Sequence, residues 1–203
     1  MKANRQMAPD RLAHLIAVAR LVFEEEGVGK ATIDTIAQRA GISKATIYRQ
    51  FDNKEVLFGE VVLHVSEDMS AELARFDLGF DDPAGVLLQA AKSIRSVHLS
   101  IREIVRLIIA EMPRHEEICA QARDALSRSM FERLQQYFAA LLQRGQMDYA
   151  DVDSATRLFT LIAMGGFRPL LGDTGMGRDD EERLFREVQV FLTGCGIRAP
   201  ATG

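Results

Sequence analysis

Helical periodicity is the feature of this sequence that most restricts what it can fold into. Apolar residues recur at intervals of three and four along almost the whole chain. The alternating Val, Ile and Thr residues and the two-residue hairpin turns that are typical of β-sheets are missing. Gly, Pro and capping residues divide the pattern into about nine segments. The sequence therefore predicts an all-α protein of about nine helices.

The boundaries of the predicted helices follow from apolar spacing and from the residues that start and stop helices. We expect helices over about 10–26, 33–39, 44–50, 54–76, 83–98, 101–111, 116–144, 153–169 and 181–192. The dipeptide Gly165-Gly166 falls inside the eighth of these helices. Glycines inside a helix lower its stability, so we expect a second helix to pack closely against this pair.

Composition narrows the class of protein. Of the 203 residues, 47% are hydrophobic and 27% are charged, which is typical of a folded globular chain. No run reaches the roughly 18 apolar residues that span a bilayer, and the first residues lack the apolar core of a secretory signal. The two cysteines are too few for a disulfide framework or a structural zinc site. We therefore expect a cytoplasmic protein with no membrane partner, no metal and no cofactor.

The segment from Ile33 to Asp52 carries the spacing of two short helices that cross steeply. Ala37 supplies the small residue at which the second helix can pack across the first. Gly41, four positions later, allows the positive φ of a tight turn, and Ile47, six further on, supplies a branched side chain that points back. These offsets are typical of a DNA-binding helix-turn-helix. An ordinary helical hairpin with a glycine turn would explain them about equally well.

The polar residues of this segment favour the helix-turn-helix. Thr32 and Ser43 can each cap a helix and leave backbone N–H groups free for a phosphate. The outer side of the second short helix carries basic, small, hydroxyl and aromatic residues, which suit the edge of a DNA major groove. A solvated helix face is the alternative, but such a face has no need of a small Ala45, which lets the helix approach a surface closely. The predicted DNA contacts are Thr32, Ser43, Lys44, Ala45, Thr46, Tyr48, Arg49 and Lys54.

The run TIDTIAQRAGISKATIYRQFDNKEVL, residues 32–57, resembles the N-terminal domain of the tetracycline-repressor (TetR) family of bacterial regulators. Together with the amphipathic first helix, the resemblance covers residues 10–58. The chain departs from the family at Gln50, where His or Tyr is frequent. The number and order of the remaining helices are also similar to the family. The resemblance implies a helix-turn-helix DNA-binding domain over residues 1–58 and a helical effector-binding and dimerisation domain over residues 59–203. The matching residues are Thr32, Ile36, Ala37, Ala40, Gly41, Ile42, Ser43, Ile47, Tyr48, Phe51, Lys54, Glu55 and Leu57.

The resemblance further implies a homodimer that pairs through its last two helices as a four-helix bundle. A twofold pair fits a palindromic operator when its two recognition helices lie about 34–36 Å apart, or a multiple of that distance. We assign this interface to apolar and glycine residues of the last two helices, and packing inside one protomer is the alternative for each of them. The predicted interface residues are Leu158, Leu161, Ile162, Gly165, Gly166, Phe185, Val188 and Leu192.

An effector pocket among the central helices is also implied by the resemblance. The expected ligand is an unidentified small molecule of apolar or amphipathic character. We expect it to release operator DNA by tilting the helix that follows Asn53. Repression is the family's usual mode, so the expected function is that of a ligand-released repressor. The candidate pocket residues, each of which ordinary core packing would also explain, are Ile94, His98, Val105, Ile108, Met112, Cys119 and Tyr137.

Two other classes of protein compete with a DNA-binding regulator. A helical enzyme needs a nucleophile with a base, a cluster of metal ligands or a phosphate-binding loop. HEEIC at 115–119 is not the two-histidine motif of zinc proteases, and GDTGMG at 172–177 lacks the Lys-Ser/Thr of a phosphate loop, so we expect no enzyme activity. A helical module that binds only proteins would show no salt-sensitive affinity for DNA.

Overall fold

A computed structural model describes residues 7–74, 78–113, 116–166, 168–172 and 178–197, without the side chains of 72–74, 118, 119, 122, 123, 125–127, 129 and 130. All regular structure in these ranges is helical, so the prediction of an all-α fold is confirmed. One short 3-10 helix covers Arg168–Leu171. The α-helices of the described ranges are α1 Pro9–Glu26, α2 Ile33–Ala40, α3 Lys44–Tyr48, α4 Lys54–Ala74, α5 Pro83–Ser100, α6 Arg102–Glu111, α7 Glu116–Gln143, α8 Val152–Met164 and α9 Arg178–Gly194.

Most predicted helix ends lie within a few residues of the observed ends. The third helix is shorter than predicted. The Gln50 N–H bonds to the carbonyl of Ile47, three residues earlier, at 2.9 Å, so the chain leaves the α-helical hydrogen-bond pattern there. The eighth begins earlier because the Asp151 carboxylate accepts the Ser154 N–H at 3.0 Å and caps it. Over the part of the chain that is described, no helix combines the length and apolarity needed to cross a bilayer.

The chain forms two compact units. The first contains the residues up to Asp68 together with Glu103–Leu126, and the second contains Met69–Arg102 together with the residues from Ser127 onward. The first turns of α4 therefore belong with the helix-turn-helix by packing. The functional boundary that we predict after residue 58 stays a prediction.

The core of the first unit is built on the apolar stripe of α1. This stripe is fully buried and packs on α2. At its end, Phe23 meets Phe58 of α4 edge to face, with 5.4 Å between the ring centroids. The buried stripe therefore gives α2 and α3 a rigid base. Its residues are Leu15, Ile16, Ala19, Val22 and Phe23.

The core of the second unit is an aromatic cluster between three helices. Phe138 of α7 lies 5.6 Å from both Phe159 of α8 and Phe191 of α9, measured between ring centroids. The rings of Phe159 and Phe191 are 5.2 Å apart. Because α5, α8 and α9 also pack on one another, these four helices share one apolar interior.

The eighth helix ends earlier than predicted, and our placement of Gly165-Gly166 inside it was wrong. Both glycines have positive φ, 81° and 62°, and the Gly165 N–H closes the helix on the Ile162 carbonyl at 3.0 Å. The last carbonyls of α8 are bound by Arg95 of α5, which donates to the carbonyls of Ala163 and Ile162 at 2.7 Å each. A Cβ on Gly165 would come within 2.9 Å of the Arg95 guanidinium carbon. The two glycines therefore end α8, and the absence of a side chain at Gly165 leaves room for the Arg95 side chain that caps the helix.

Candidate functional site

The turn between α2 and α3 is fixed by a glycine and a cap. Gly41 adopts the left-handed conformation, with φ 63° and ψ 31°, and ends α2. The following Ile42 N–H bonds to the carbonyl of Ala37 at 3.0 Å, which turns the chain sharply. Ser43 then caps α3 by accepting the Thr46 N–H at 3.2 Å. The tight helix-turn-helix predicted from the spacing is therefore present.

The inner sides of α2 and α3 are apolar and buried from solvent. The residues that the spacing assigned to the interior are all buried, and Ile47 is completely so. An apolar interior of this kind fixes the orientation of a helix as short as α3 through packing, because a helix of this length is not stable alone. The buried residues are Ile36, Ala37, Ala40, Ile42 and Ile47.

The outer side of α3 is polar and open to solvent. Lys44, Ala45, Tyr48 and Arg49 are exposed, and the tyrosine ring is 53% exposed. A hydrogen-bonded row lies along one edge, in which the Ser43 and Thr46 hydroxyls are 2.8 Å apart and Arg49 donates to the Thr46 hydroxyl at 3.2 Å. The helix thus presents a cation, a small residue, an aromatic hydroxyl and an oriented guanidinium on one side.

The predicted contacts outside α3 have structural partners in the first unit. The Thr32 hydroxyl accepts the Thr35 N–H at 3.1 Å and caps α2. The Lys54 ammonium donates to the carbonyls of Gly29 at 2.9 Å and Ala31 at 3.1 Å, which ties the loop after α1 to the start of α4. Two of its three N–H groups are used there, so its contact with a phosphate stays a prediction. Gln50, where the chain departs from the family, accepts the Met7 N–H at 3.4 Å.

Two ion pairs that join different helices of this unit were not anticipated from the sequence. The Lys44 ammonium lies 2.5 Å from a carboxylate oxygen of Asp34 on α2, and the Arg39 guanidinium lies 2.6 Å from Glu25 of α1. All four side chains remain about half exposed. No local sequence signal pairs these residues, because each pair joins two helices whose crossing angle is set by the core.

The predicted pocket residues are divided between the two units. Val105, Ile108 and Met112 belong to the first unit, with Ile108 buried, and Ile94, His98 and Tyr137 are buried in the second. The side chain of Cys119 lies outside the described residues. Val105 and Met112 are only partly buried, and the joint role of these residues as a pocket stays a prediction.

The two polar members of this set differ in how they are satisfied. The Tyr137 hydroxyl donates to the Gly79 carbonyl at 2.8 Å, and burial, helped by Asp82, raises the pKa of Tyr137 to about 12. The Nε2 atom of His98 is buried without a hydrogen-bond partner among the described residues. Burial first, and then the nearby charge of Arg95, lower the pKa of His98 below its usual value. His98 is therefore a neutral imidazole at neutral pH.

The predicted interface residues fall into two groups. Leu158, Leu161 and Phe185 are large apolar residues that are 50%, 54% and 47% exposed, and Val190 of α9, which the sequence reasoning missed, is also exposed. Ile162, Gly165 and Gly166 are partly exposed. Val188 and Leu192 are buried inside the protomer and contribute to its own core. The exposed group leaves an apolar stripe on α8 and α9 open to solvent.

One surface cavity opens beside this stripe. It has a volume of about 290 Å³, and four of its five lining residues are charged. None of the predicted pocket residues contributes to the wall. Within the described part of the chain, no group of three or more His, Cys, Asp or Glu residues is arranged to hold a metal ion. The lining residues are Lys92, Glu181, Glu182, Phe185 and Arg186.

Two protein families match consecutive parts of the chain. Residues 15–61, which include the helix-turn-helix, match the bacterial regulatory proteins of the tetR family. Residues 87–193 match the C-terminal domain of AefR-like transcriptional repressors. The second match covers more than half of the chain.

Individual proteins resemble the chain over nearly its whole length. The transcriptional regulator AcrR of Shigella flexneri is 25% identical over 217 aligned residues, which cover 99% of this chain and 98% of that protein. A TetR-family regulator of Mesorhizobium loti MAFF303099 superposes with a TM-score of 0.81 at 24% identity, covering 95% of this chain and all of the other. The flavonoid-responsive regulator FrrA has a TM-score of 0.74 at 24% identity, with the same coverage. Since both family matches agree with the observed architecture, the chain belongs to the TetR family of bacterial DNA-binding transcriptional regulators.

Proposed function

We propose that this regulator is a homodimeric repressor that binds a palindromic operator and is released from it by an apolar or amphipathic small molecule. The observation that carries the proposal is the two-sided character of α3. Its inner residue Ile47 is completely buried, whereas Lys44, Tyr48 and Arg49 on its other sides are exposed. A rigidly packed helix with an open polar side suits a DNA major groove.

The proposed DNA contacts differ in kind. Lys44 and Arg49 supply positive charge for phosphates or guanine edges, and Tyr48 supplies a hydroxyl on a flat ring. Ala45 leaves room for α3 to approach the bases closely. Thr46 orients the guanidinium of Arg49 through their 3.2 Å hydrogen bond. Base contacts from α3 would read the operator sequence, and phosphate contacts around it would fix the register of the protein on the duplex.

The residues that cap the helices or connect them to a loop are assigned a supporting role in DNA binding. Thr32 and Ser43 fix the first turns of α2 and α3, and Lys54 holds the loop after α1. We propose that they hold the exposed side of α3 in the orientation that binds DNA, and that any contact they make with a phosphate is a second role.

Dimerisation is proposed to use the exposed apolar residues of α8 and α9. Leu158 and Leu161 are one turn apart on α8, and Phe185 lies on α9. Burying three large apolar side chains of this kind against a second copy would contribute about 1 kcal/mol or more each, given that half of each is already buried. Partly exposed Ile162 would extend the stripe, whereas buried Val188 and Leu192 support it from inside.

The effector class is proposed from the chemistry of the predicted pocket residues and from one relative. The predicted pocket residues are apolar except for neutral His98 and Tyr137, which suits an apolar molecule with one or two hydrogen-bonding groups. FrrA, a structural neighbour, is named as flavonoid-responsive. We therefore propose an aromatic or otherwise largely apolar effector that carries hydroxyl or carbonyl groups.

Selection of bound sequences from random duplex DNA tests the DNA-binding part. We expect enrichment of a palindrome, and a gel shift in which log affinity falls with log salt. Lys44→Ala should weaken binding with a shallower salt slope, and Tyr48→Ala should weaken binding at all sites. Arg128→Ala, which removes an exposed cation of the second unit, is the matched control and should change neither. Failure to enrich any palindrome would refute the proposal.

Ligand release is tested separately with compounds that bind. Flavonoids and other hydroxylated aromatic compounds are first screened for a rise in the Tm of the protein. Each compound that binds is then titrated into the operator gel shift, where release needs only a preference of a few kcal/mol for the form that does not bind DNA. Tight binding with no change in operator affinity would contradict release.

A further inference from the structure

We propose that Asp34 acts as an electrostatic brake on DNA binding by holding the ammonium group of Lys44. The inference rests on the proposed role of Lys44 as a DNA contact. It assigns a function to an acidic residue of α2 that the family resemblance, the predicted DNA contacts and the core of the helix-turn-helix all leave without a role.

The geometry of the pair is direct. Asp34 lies in the first turn of α2 and Lys44 is the first residue of α3, and their nearest oxygen and nitrogen atoms are 2.5 Å apart. The side chains are 65% and 54% exposed, respectively, so the pair lies at the surface. The carboxylate therefore occupies a position beside the ammonium where a DNA phosphate would otherwise bind.

Stability does not explain the pair. Exposed ion pairs contribute little to folding, because water screens them and two long side chains must be held in one arrangement. Apolar side chains already fill the interior of the helix-turn-helix, and the ion pair is not part of that packing. An acidic side chain on a surface that approaches a polyanion is instead unfavourable for binding, because it repels the phosphates and competes for the cation.

The consequence for binding follows from charge. Each phosphate neutralised by a cation makes the slope of log affinity against log salt more negative by about 0.9. While Lys44 is held by Asp34, its charge is compensated before DNA arrives, so a phosphate must first displace the carboxylate. Asp34 thereby keeps the affinity for DNA of any sequence lower than the basic residues of α3 would give, and a small ligand preference then suffices for release.

The test compares Asp34→Asn with a matched control. Glu25→Gln removes the same charge from the same unit, where Glu25 pairs with Arg39 at 2.6 Å instead of with a proposed DNA contact. Fluorescence anisotropy with a short duplex of random sequence measures affinity over a salt series. We expect Asp34→Asn to bind about fivefold more tightly at low salt, equal to about 1 kcal/mol, with a slope steeper by about one. Glu25→Gln should change affinity less than about twofold.

A double variant separates the mechanism from a general charge effect. In the Lys44→Ala background, Asp34→Asn should give only the gain that comes from removing one carboxylate's repulsion of the phosphates, which is smaller than the gain with Lys44 present, because the ammonium that it would release is absent. Equal gains from Asp34→Asn and Glu25→Gln, or a full gain in the Lys44→Ala background, would overturn the inference. If the unmodified protein binds neither the random duplex nor any selected sequence, the proposed function itself fails. If it binds normally and Asp34→Asn changes nothing, only this inference fails. Circular dichroism melts of each variant confirm that the fold is retained.

Discussion

Replacing Gly41 by alanine should destabilise the protein through its backbone alone. At φ 63° and ψ 31° the residue is left-handed, and a Cβ built there has no heavy atom within 4 Å. The cost is therefore the conformational penalty of an L-residue in this region, about 1–2 kcal/mol, with no steric contribution. For a chain of this length, each kcal/mol corresponds to a fall in Tm of about 2–4 °C.

The assay is thermal unfolding followed by circular dichroism at one protein concentration, since dimer formation makes Tm depend on concentration. Gly29→Ala is the matched control, because Gly29 has an ordinary φ and equally open surroundings. Gly41→Asn should lie between the wild type and Gly41→Ala, since asparagine tolerates the left-handed conformation better. Gly41→Ala should also retain its DNA affinity below its Tm, because the turn has room for the added methyl group.

Two results would refute this reasoning. A Tm for Gly41→Ala that equals that of Gly29→Ala would show that the turn does not require a left-handed residue. A loss as large as that of Gly165→Ala would be equally damaging. At Gly165, φ is 81° and a Cβ also lies 2.9 Å from the Arg95 guanidinium, so that replacement combines strain with a clash and should cost more.

Three further outcomes are expected. Leu161→Arg should produce monomers in light scattering, whereas Leu171→Arg, at a more exposed leucine of the 3-10 helix, should leave the dimer intact; a dimeric Leu161→Arg would reject the proposed interface. Arg95→Met should lower the free energy of unfolding by about 3 kcal/mol in denaturant titrations, because two carbonyls of α8 lose charge-assisted hydrogen bonds, and a loss below about 1 kcal/mol would contradict this. The pKa of His98 is lowered in the folded state, so its contribution to stability is present above its unfolded pKa and is lost as pH falls below that value. His98→Gln should therefore lose less stability than the wild type between neutral and mildly acidic pH, and an identical loss would refute the assignment.

The helix-turn-helix could be predicted because its constraints are local. Ala37, Gly41 and Ile47 lie within eleven positions of one another, and each has a residue type that the geometry demands. The capping roles of Thr32 and Ser43 were visible for the same reason, since a cap and the N–H that it binds are three residues apart. A turn or a cap of this kind is set by residues within a few positions of one another, even though packing against α1 is needed to hold the two helices in place.

The end of α8 was misread although part of the signal was present. Two consecutive glycines fit either a close helix crossing or a helix stop, and the apolar residues around Gly165 favoured the first interpretation. Pro169, four residues later, sets the latest point at which the helix can end, and the prediction placed the end there. What decides the matter is Arg95, which is far away in the sequence and binds the last carbonyls of α8.

Contacts between residues of different elements explain why the charged residues were the hardest to assign. Lys44 and Lys54 both looked like free cations in the sequence, yet one is paired with Asp34 and the other is bound by two loop carbonyls. A count of basic residues therefore overstates the charge that is open to DNA in the free protein. Because the salt slope of binding depends on the cations that phosphates neutralise on complex formation, a comparison of the slopes of the wild type and of Asp34→Asn distinguishes a held lysine from a free one.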